Sequence, residues 1–511
     1  MNNTSDNNKR IAKNTLFLYF RQILVMAVGL YTVRVVLGAL GTEDYGIYNA
    51  VGGFVAMFSV LSGALSMGIG RFITYEMGKT DVTISRLQLI FSSSLLIQLA
   101  MGLIICLLIG TFGVWFVEYK MVIPSGRLEI ALYVLGFSTV GFFINLLSIP
   151  YNALIIAHEQ MKAFAYISIV EVVLKLIVAY LLVISPVDKL WLYALSMVVV
   201  ALIIRFAYAI YCKRHFEECR FVWGFNKQLL SKMFSFSGWA FLGIGSSVLK
   251  DHGVNVLLNM FCGPAVNAAR GITTQVTNAA NMFITNFMQA VNPQITKSYS
   301  SGNLPEMHRL IFKSSRFSFY LMLLLSLPLM KSIGYILGLW LVEVPEYTAM
   351  FIQLLLVFFL MDSLVHPLTT GLFAEGNIRV YQIVIAVLNL SNILLSYWCL
   401  ECGFTPEYVY VVSIAVEIGI MACRIHFSAK SFSLSVKRYC IEVIGKALTV
   451  ALVAGTFTYL IRFSIGNLFA NFVLVTLCVT LFSAVIIYIL GLTRGERAFV
   501  LSTVRNRILH R

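Results

Sequence analysis

Leu128 to Lys162 reads LEIALYVLGFSTVGFFINLLSIPYNALIIAHEQMK, and no charged side chain falls between Glu129 and His158. Such a run exceeds the roughly 20 apolar residues an α-helix needs to cross about 30 Å of hydrocarbon. Its apolar residues are continuous rather than alternating, which points to a helix and away from a barrel strand. Comparable runs recur along the whole chain of 511 residues. Hydrophobic residues make up 59% and charged residues 12%, with a mean hydropathy of +0.85. A water-soluble domain carries about 25% charged residues. The surface polarity needed in water is therefore missing, and the bilayer is the solvent.

Working outward, helices are expected near 15–38, 45–70, 88–115, 129–156, 163–184, 190–211, 233–259, 264–294, 311–331, 349–373, 380–400, 407–425, 439–461 and 468–491. The fold class is thus an all-α integral membrane protein of about 14 transmembrane helices. The polar, basic start and an apolar run continuing to about Leu40 argue against a cleaved signal peptide. Taking the N-terminus as cytoplasmic, the outer loops hold only Lys120, Arg127, Lys189, Lys331 and Arg462. Most of the other Lys and Arg residues fall on the inner side, as in Lys213, Arg214, Arg220, Lys227 and Lys232, or Arg494, Arg497, Arg505, Arg507 and Arg511. That asymmetry places both termini in the cytoplasm. The net charge of +15 is then mainly a topology signal. Nucleic-acid binding is a poor reading because the basic residues are dispersed over short segments, while attraction to anionic membrane lipids fits.

The chain also repeats itself. Pro150, Ala157 and Lys162 match Pro367, Ala374 and Arg379 as P-x6-A-x4-[KR], and LIFSSS at Leu89–Ser94 matches LIFKSS at Leu310–Ser315. Each proline is expected to close its helix. The repeat unit has six helices, an even number, so the two copies run parallel about an axis along the membrane normal. The organisation read from this is a six-helix bundle over 1–214, a second over 215–436, and two additional helices with a basic tail over 437–511.

Polar residues inside such helices are costly and mark function by default. Arg270, Thr274, Asn278, Asn281, Thr285, Gln289 and Asn292 recur at close to the helical period and form one stripe. The stripe reads as the lining of a water-filled cavity, against the alternative of hydrogen-bonding glue between helices. Arg21, Arg34, Lys250 and Arg270 are expected to converge as a cationic lining for an anionic substrate, with Asp44 and Asp251 as counter-charges. Arginine suits phosphate because it offers paired donors, and amides and hydroxyls suit sugars. Asp362 and Glu417 either carry a coupling ion or pair with a base. Glu171 and Lys175 are expected to pair along their helix, and Arg205 and Lys446 to snorkel. Cys399 and Cys402 lack the partners of a zinc site. No nucleotide-binding loop or catalytic motif occurs, so the chain reads as a transporter without a cofactor and not as an enzyme.

The segment NKRIAKNTLFLYFRQILVMAVGLYTVRVVLGALGTEDYGIYNAVGGF, Asn8–Phe54, resembles the start of the bacterial polysaccharide transporters. Leu37–Asn49 is its most characteristic part. These are the Wzx-type O-antigen flippases of the multidrug/oligosaccharidyl-lipid/polysaccharide (MOP) superfamily. The resemblance implies a MATE-like fold, with two bundles around a V-shaped cavity in the bacterial cytoplasmic (inner) membrane. It implies alternating access that carries undecaprenyl-diphosphate-linked oligosaccharide from the inner to the outer leaflet for O-antigen, capsule or exopolysaccharide biosynthesis. H+ or Na+ as coupling ion, and a polysaccharide polymerase and glycosyltransferases as partners, belong to the same expectation. A multidrug/cation antiporter or a lipid II flippase of the superfamily are the alternatives. A membrane polymerase fits less well, for want of a large outer loop.

Overall fold

The computed structural model describes residues 2–119, 121, 123–124, 126–224, 226–341, 344–462 and 467–498. Lys120 and the tail arginines Arg505, Arg507 and Arg511 lie outside the described residues. The elements are α1 (Asn2–Ala56), α2 (Ser59–Met77), α3 (Ile84–Leu108), α4 (Val114–Tyr119), α5 (Leu128–Ala157), α6 (Met161–Ile184), α7 (Lys189–His215), α8 (Lys227–Ser300), α9 (Leu304–Trp340), α10 (Thr348–Glu375), α11 (Arg379–Glu401), α12 (Tyr408–Phe432), α13 (Val436–Tyr439), α14 (Lys446–Leu460) and α15 (Leu468–Ile486). Short π-helical turns join α3 to α4 and α13 to α14, and one follows α15. No strand occurs among the described residues.

Eleven of these helical stretches are long and apolar enough to cross a membrane, or twelve if the bent pair Glu43–Ala56 and Ser59–Met77 is one span. The expected count of about 14 is not reached by this measure. The difference lies in α8, whose two arms match the helices expected at 233–259 and 264–294. Ser246, Ser247, Lys250, Asp251 and His252 make the first arm polar, and the Thr and Asn stripe does the same for the second. The membrane still fits as solvent. On α3, Leu103, Ile104 and Leu107 are 57%, 53% and 66% exposed, an apolar face that water would not tolerate over a whole helix.

Both α1 and α8 are broken at a glycine. Gly41 has φ 79° and ψ 173°, and Gly263 has φ 82° and ψ 179°. This conformation is open essentially only to glycine, and the two lie at equivalent places in the repeat. The sequence periodicity did not use them, so they are independent support for the duplication. Across the second break, Arg270 Nη2 donates to the Asp251 carbonyl at 3.0 Å. A straight helix would hold those residues nearly 30 Å apart, so the arms of α8 fold back on each other. The two prolines need a correction. Pro150 and Pro367 do not close their helices; α5 continues to Ala157 and α10 to Glu375. Proline is tolerated inside membrane helices where neighbours re-satisfy the freed backbone groups.

The chain forms two compact units. The first comprises Met1–Gly245 and Thr296–Asn303. Here α5 packs against α7, α2, α3 and α1, and α1 runs along α6. Ile69, Ile73, Phe91, Leu146, Leu154 and Ile155 are at the centre of its core. Glu159 ties the unit together by receiving Arg10 at 2.8 Å and Lys297 at 3.2 Å. The second comprises Ser246–Ile295 and Leu304–Arg511. In it α10 packs against α9 and α12, and α11 against α12. The additional helices α14 and α15 lie on α9, where buried Arg316 pairs with Glu496 at 2.7 Å.

Candidate functional site

In the second unit, the second arm of α8 has two sharply different faces. Thr273, Thr277, Ala280, Ile284, Met288, Val291 and Ile295 are all buried. The neighbouring stripe is not: Thr274, Asn278 and Thr285 are exposed, while Arg270, Asn281, Gln289 and Asn292 are half-buried. The buried threonines satisfy themselves locally, Thr273 donating to the Ala269 carbonyl and Thr277 to that of Thr273, each at 2.8 Å. Exposed Thr274 and Thr285 also bond back one turn, to the Arg270 and Asn281 carbonyls. Asn278 is exposed and Asn281 half-buried beside them.

The same unit shows what hydrogen-bonding glue looks like. Asn389 on α11 is 2% exposed and donates to Ser246 and Ser247 of α8, both at 3.1 Å. Asn392 is 1% exposed and donates to Ser413 of α12 at 3.1 Å. Those amides bridge helices from fully buried positions. In the stripe, Asn292 does something similar, accepting from Thr370 at 2.9 Å. Arg270 is anchored through the Asp251 carbonyl, with its guanidinium 5.9 Å from the Tyr410 ring centre.

A second cluster sits on α10 and α12. Arg424 Nη1 lies 2.6 Å from Asp362 and 3.5 Å from Glu417. His366 is 4.0 Å from Asp362. Lys250, over the Phe358 ring at 5.2 Å, is within electrostatic reach of both acids. At the inner end of the helix expected at 407–425, Arg424 counts on the sequence with the cytoplasmic basic residues. It is instead a mostly buried member of α12, and it faces the two acids directly. Lys250 also lies 3.9 Å from the carboxylate of Asp251, which is itself largely exposed.

The first unit separates its candidate cations. Arg21 stacks over Phe164 of α6 at 4.9 Å. Arg34 is exposed and lines an open recess of about 580 Å³ with Tyr31, Val35, Val183 and Lys189. Tyr31 shares a 2.7 Å hydrogen bond with Tyr180. Thirteen residues of helix separate Arg21 from Arg34, about 20 Å of rise, so they do not form one site. Asp44 faces neither; it binds Arg127 at 2.7 Å. Glu171 and Lys175 pair at 2.6 Å, and Arg205 stacks on Tyr151. Among the described residues no cluster of metal ligands occurs, and Cys399 and Cys402 are free thiols.

Arg127 also hydrogen-bonds Asp188, the N-cap of α7, whose carboxylate accepts from the Leu190 and Trp191 N–H groups at 3.0 Å. Burial pushes the Asp188 carboxyl up, but the Trp191 N–H, Arg127 and the Leu190 N–H outweigh it and hold it below its ordinary value. A depressed carboxylate gives stability that is complete above its unfolded pKa of about 4 and is lost as pH falls through the lower folded value. Asp188→Asn keeps the cap and removes the charge. It is expected to lose up to about 1 kcal/mol at neutral pH, given the partial exposure of the pair. Melting curves of the wild type and variant should converge in acid.

A family model described as polysaccharide biosynthesis protein matches residues 11–299. The chain belongs to the polysaccharide biosynthesis protein family. No curated protein sequence matches it. Among solved structures, this family member is similar to a MATE protein in the bent conformation, with TM-score 0.74, 14% identity and coverage of 85% of this chain and 97% of that one. It is also similar to the outward-facing conformation of a multidrug resistance MATE family transporter of the MOP superfamily, with TM-score 0.64, 16% identity and coverage of 84% and 97%. The Vibrio cholerae MATE transporter VcmN gives TM-score 0.69 and 15% identity, covering 84% and 98%. At such identities the likeness is one of fold. Family and fold together make this polysaccharide biosynthesis protein a multi-pass membrane protein with the fold of the MATE transporters.

Proposed function

We propose that this protein is a flippase that moves an undecaprenyl-diphosphate-linked oligosaccharide from the inner to the outer leaflet of a bacterial cytoplasmic membrane by alternating access. The observation that carries this reading is the open polar stripe of α8, headed by Arg270. A guanidinium beside a row of amides and hydroxyls is the donor set that a diphosphate followed by sugars requires. Hydrocarbon would reject such a head group by many kcal/mol, and a hydrated polar face removes most of that barrier. Lys250, Thr274, Asn278, Asn281 and Thr285 are the proposed partners of the head group, with Arg34 and Arg21 as separate cationic stations. Lys and Arg clusters on one side support cytoplasmic termini.

Coupling to H+ or Na+ is proposed to run through Asp362 and Glu417, whose charges Arg424 balances. The alternative of a cation antiporter draws support from the MATE fold. Against it, α1 places Arg21 and Arg34, not a free acid, in its apolar span, and Asp44 is already engaged by Arg127. Purified protein in proteoliposomes decides between them. Movement of a labelled lipid-linked oligosaccharide without uptake of a cationic drug is expected. Drug uptake without lipid movement would overturn the proposal.

A further inference from the structure

On the side of the first unit that carries its basic clusters, a recess of about 420 Å³ opens between α3, α5 and the connection from α7 to α8. Its walls are Phe91 and Leu95 of α3, Tyr151 of α5, and Phe221; its rim carries Lys213 and Arg220. Both basic side chains are exposed, and among the described residues neither has an acidic partner within 4 Å. Arg205 lies 4.1 Å from the centre of the Tyr151 ring, adding positive potential behind that wall.

The recess is built, not incidental. Its outer wall is the segment Phe216–Trp223, held at four points. Gln88 donates to the Glu217 carbonyl at 3.1 Å and Ser92 accepts from the Val222 N–H at 2.9 Å. His158 hydrogen-bonds Glu218 and stacks on Phe216 at 4.1 Å. Glu218 is thereby engaged away from the basic rim. From this clamped segment Phe221, Val222 and Trp223 project, 45%, 41% and 87% exposed. Aromatic side chains beside basic ones at the end of spanning helices are the composition of a bilayer interface.

We infer that this recess binds the head group of an anionic phospholipid from the adjacent leaflet. The phosphodiester would lie between Lys213 and Arg220, an acyl chain would follow Leu95 and Phe221, and Trp223 would sit at head-group depth. The observation behind it is a clamped, apolar-walled recess with a two-cation rim at the membrane interface. It is distinct from the α8 stripe and does not rest on the transport reading, since binding is read without transport.

The test is native mass spectrometry of the purified full-length protein with equal amounts of dioleoylphosphatidylglycerol and dioleoylphosphatidylcholine. The wild type should retain phosphatidylglycerol in preference. In the double variant Lys213→Ala/Arg220→Ala that preference should fall about tenfold, equivalent to ~1.4 kcal/mol, the scale of two partly screened basic groups near an anionic surface. The pair Lys213→Arg/Arg220→Lys should keep it. Should the double variant fail to stay monodisperse, Arg220→Gln alone should lower the preference about threefold. An unchanged preference in the variants would overturn the inference. So would complete displacement of phosphatidylglycerol by inorganic phosphate, or preferential occupancy by undecaprenyl diphosphate, which would make this a docking place for the substrate.

Discussion

Arg424→Met is expected to destabilise the second unit by about 3–5 kcal/mol, the usual result of removing one partner from a buried charge pair. The wild-type guanidinium lies between Asp362 at 2.6 Å and Glu417 at 3.5 Å. The Glu417 side chain is only 3% exposed. Without Arg424, two carboxylates would share a low-dielectric site with Lys250 and His366 as the remaining bases. Purified protein in detergent should show a much lower melting temperature. Removing the orphaned charges as well, with Asp362→Asn and Glu417→Gln, should restore most of the loss. A triple variant no more stable than Arg424→Met alone would mean that the three groups are not energetically coupled.

Arg270→Ala is expected to leave membrane insertion intact and reduce lipid-linked oligosaccharide transport by one to two orders of magnitude. Charge-assisted hydrogen bonds are worth about 1.5–3 kcal/mol, which corresponds to roughly 10- to 150-fold in rate or affinity. The fold leans little on this half-buried side chain, which hydrogen-bonds the Asp251 carbonyl at a helix break and lies against the Tyr410 ring. Arg34→Ala should also impair transport while sparing insertion, through the recess it shares with Lys189. Initial flipping rates in proteoliposomes, normalised to inserted protein, check both. Rates unchanged in both variants would remove these arginines from the substrate path.

The membrane class was legible because the bilayer imposes length and apolarity on every span, and Leu128–Ala157 alone satisfies both. The repeat was legible from Pro150 and Pro367, which the expected spans 129–156 and 349–373 already enclosed, although their reading as helix ends was not right. A proline near a helix end and one closing it leave the same mark on sequence when the re-bonding neighbours are unknown. Gly41 and Gly263 were available as a third matched pair and passed unnoticed, because a glycine shows its φ only in three dimensions. Arg424 was missed for a related reason. With α12 expected to end at 425, a terminal arginine looks like any loop cation; α12 in fact runs to Phe432, and the acid on α10 that engages Arg424 is 62 residues away in sequence. The pairing of Asp44 with Arg127 was equally hidden, since periodicity reports which residues share a face but not which helix lies opposite. The α8 stripe was the reverse case, a single-helix pattern that periodicity is built to detect, and its seven members do run beside the buried face.

Cysteine scanning along α8, in a background freed of its nine native cysteines, tests the central claim most directly. With a membrane-impermeant thiol reagent, Cys at Thr274, Asn278, Asn281 and Thr285 should react, while Cys at Thr273, Thr277, Ala280 and Ile284 should stay protected. Uniform protection of both sets would show the stripe to be dry, and no phosphate-bearing sugar could use it to pass the bilayer.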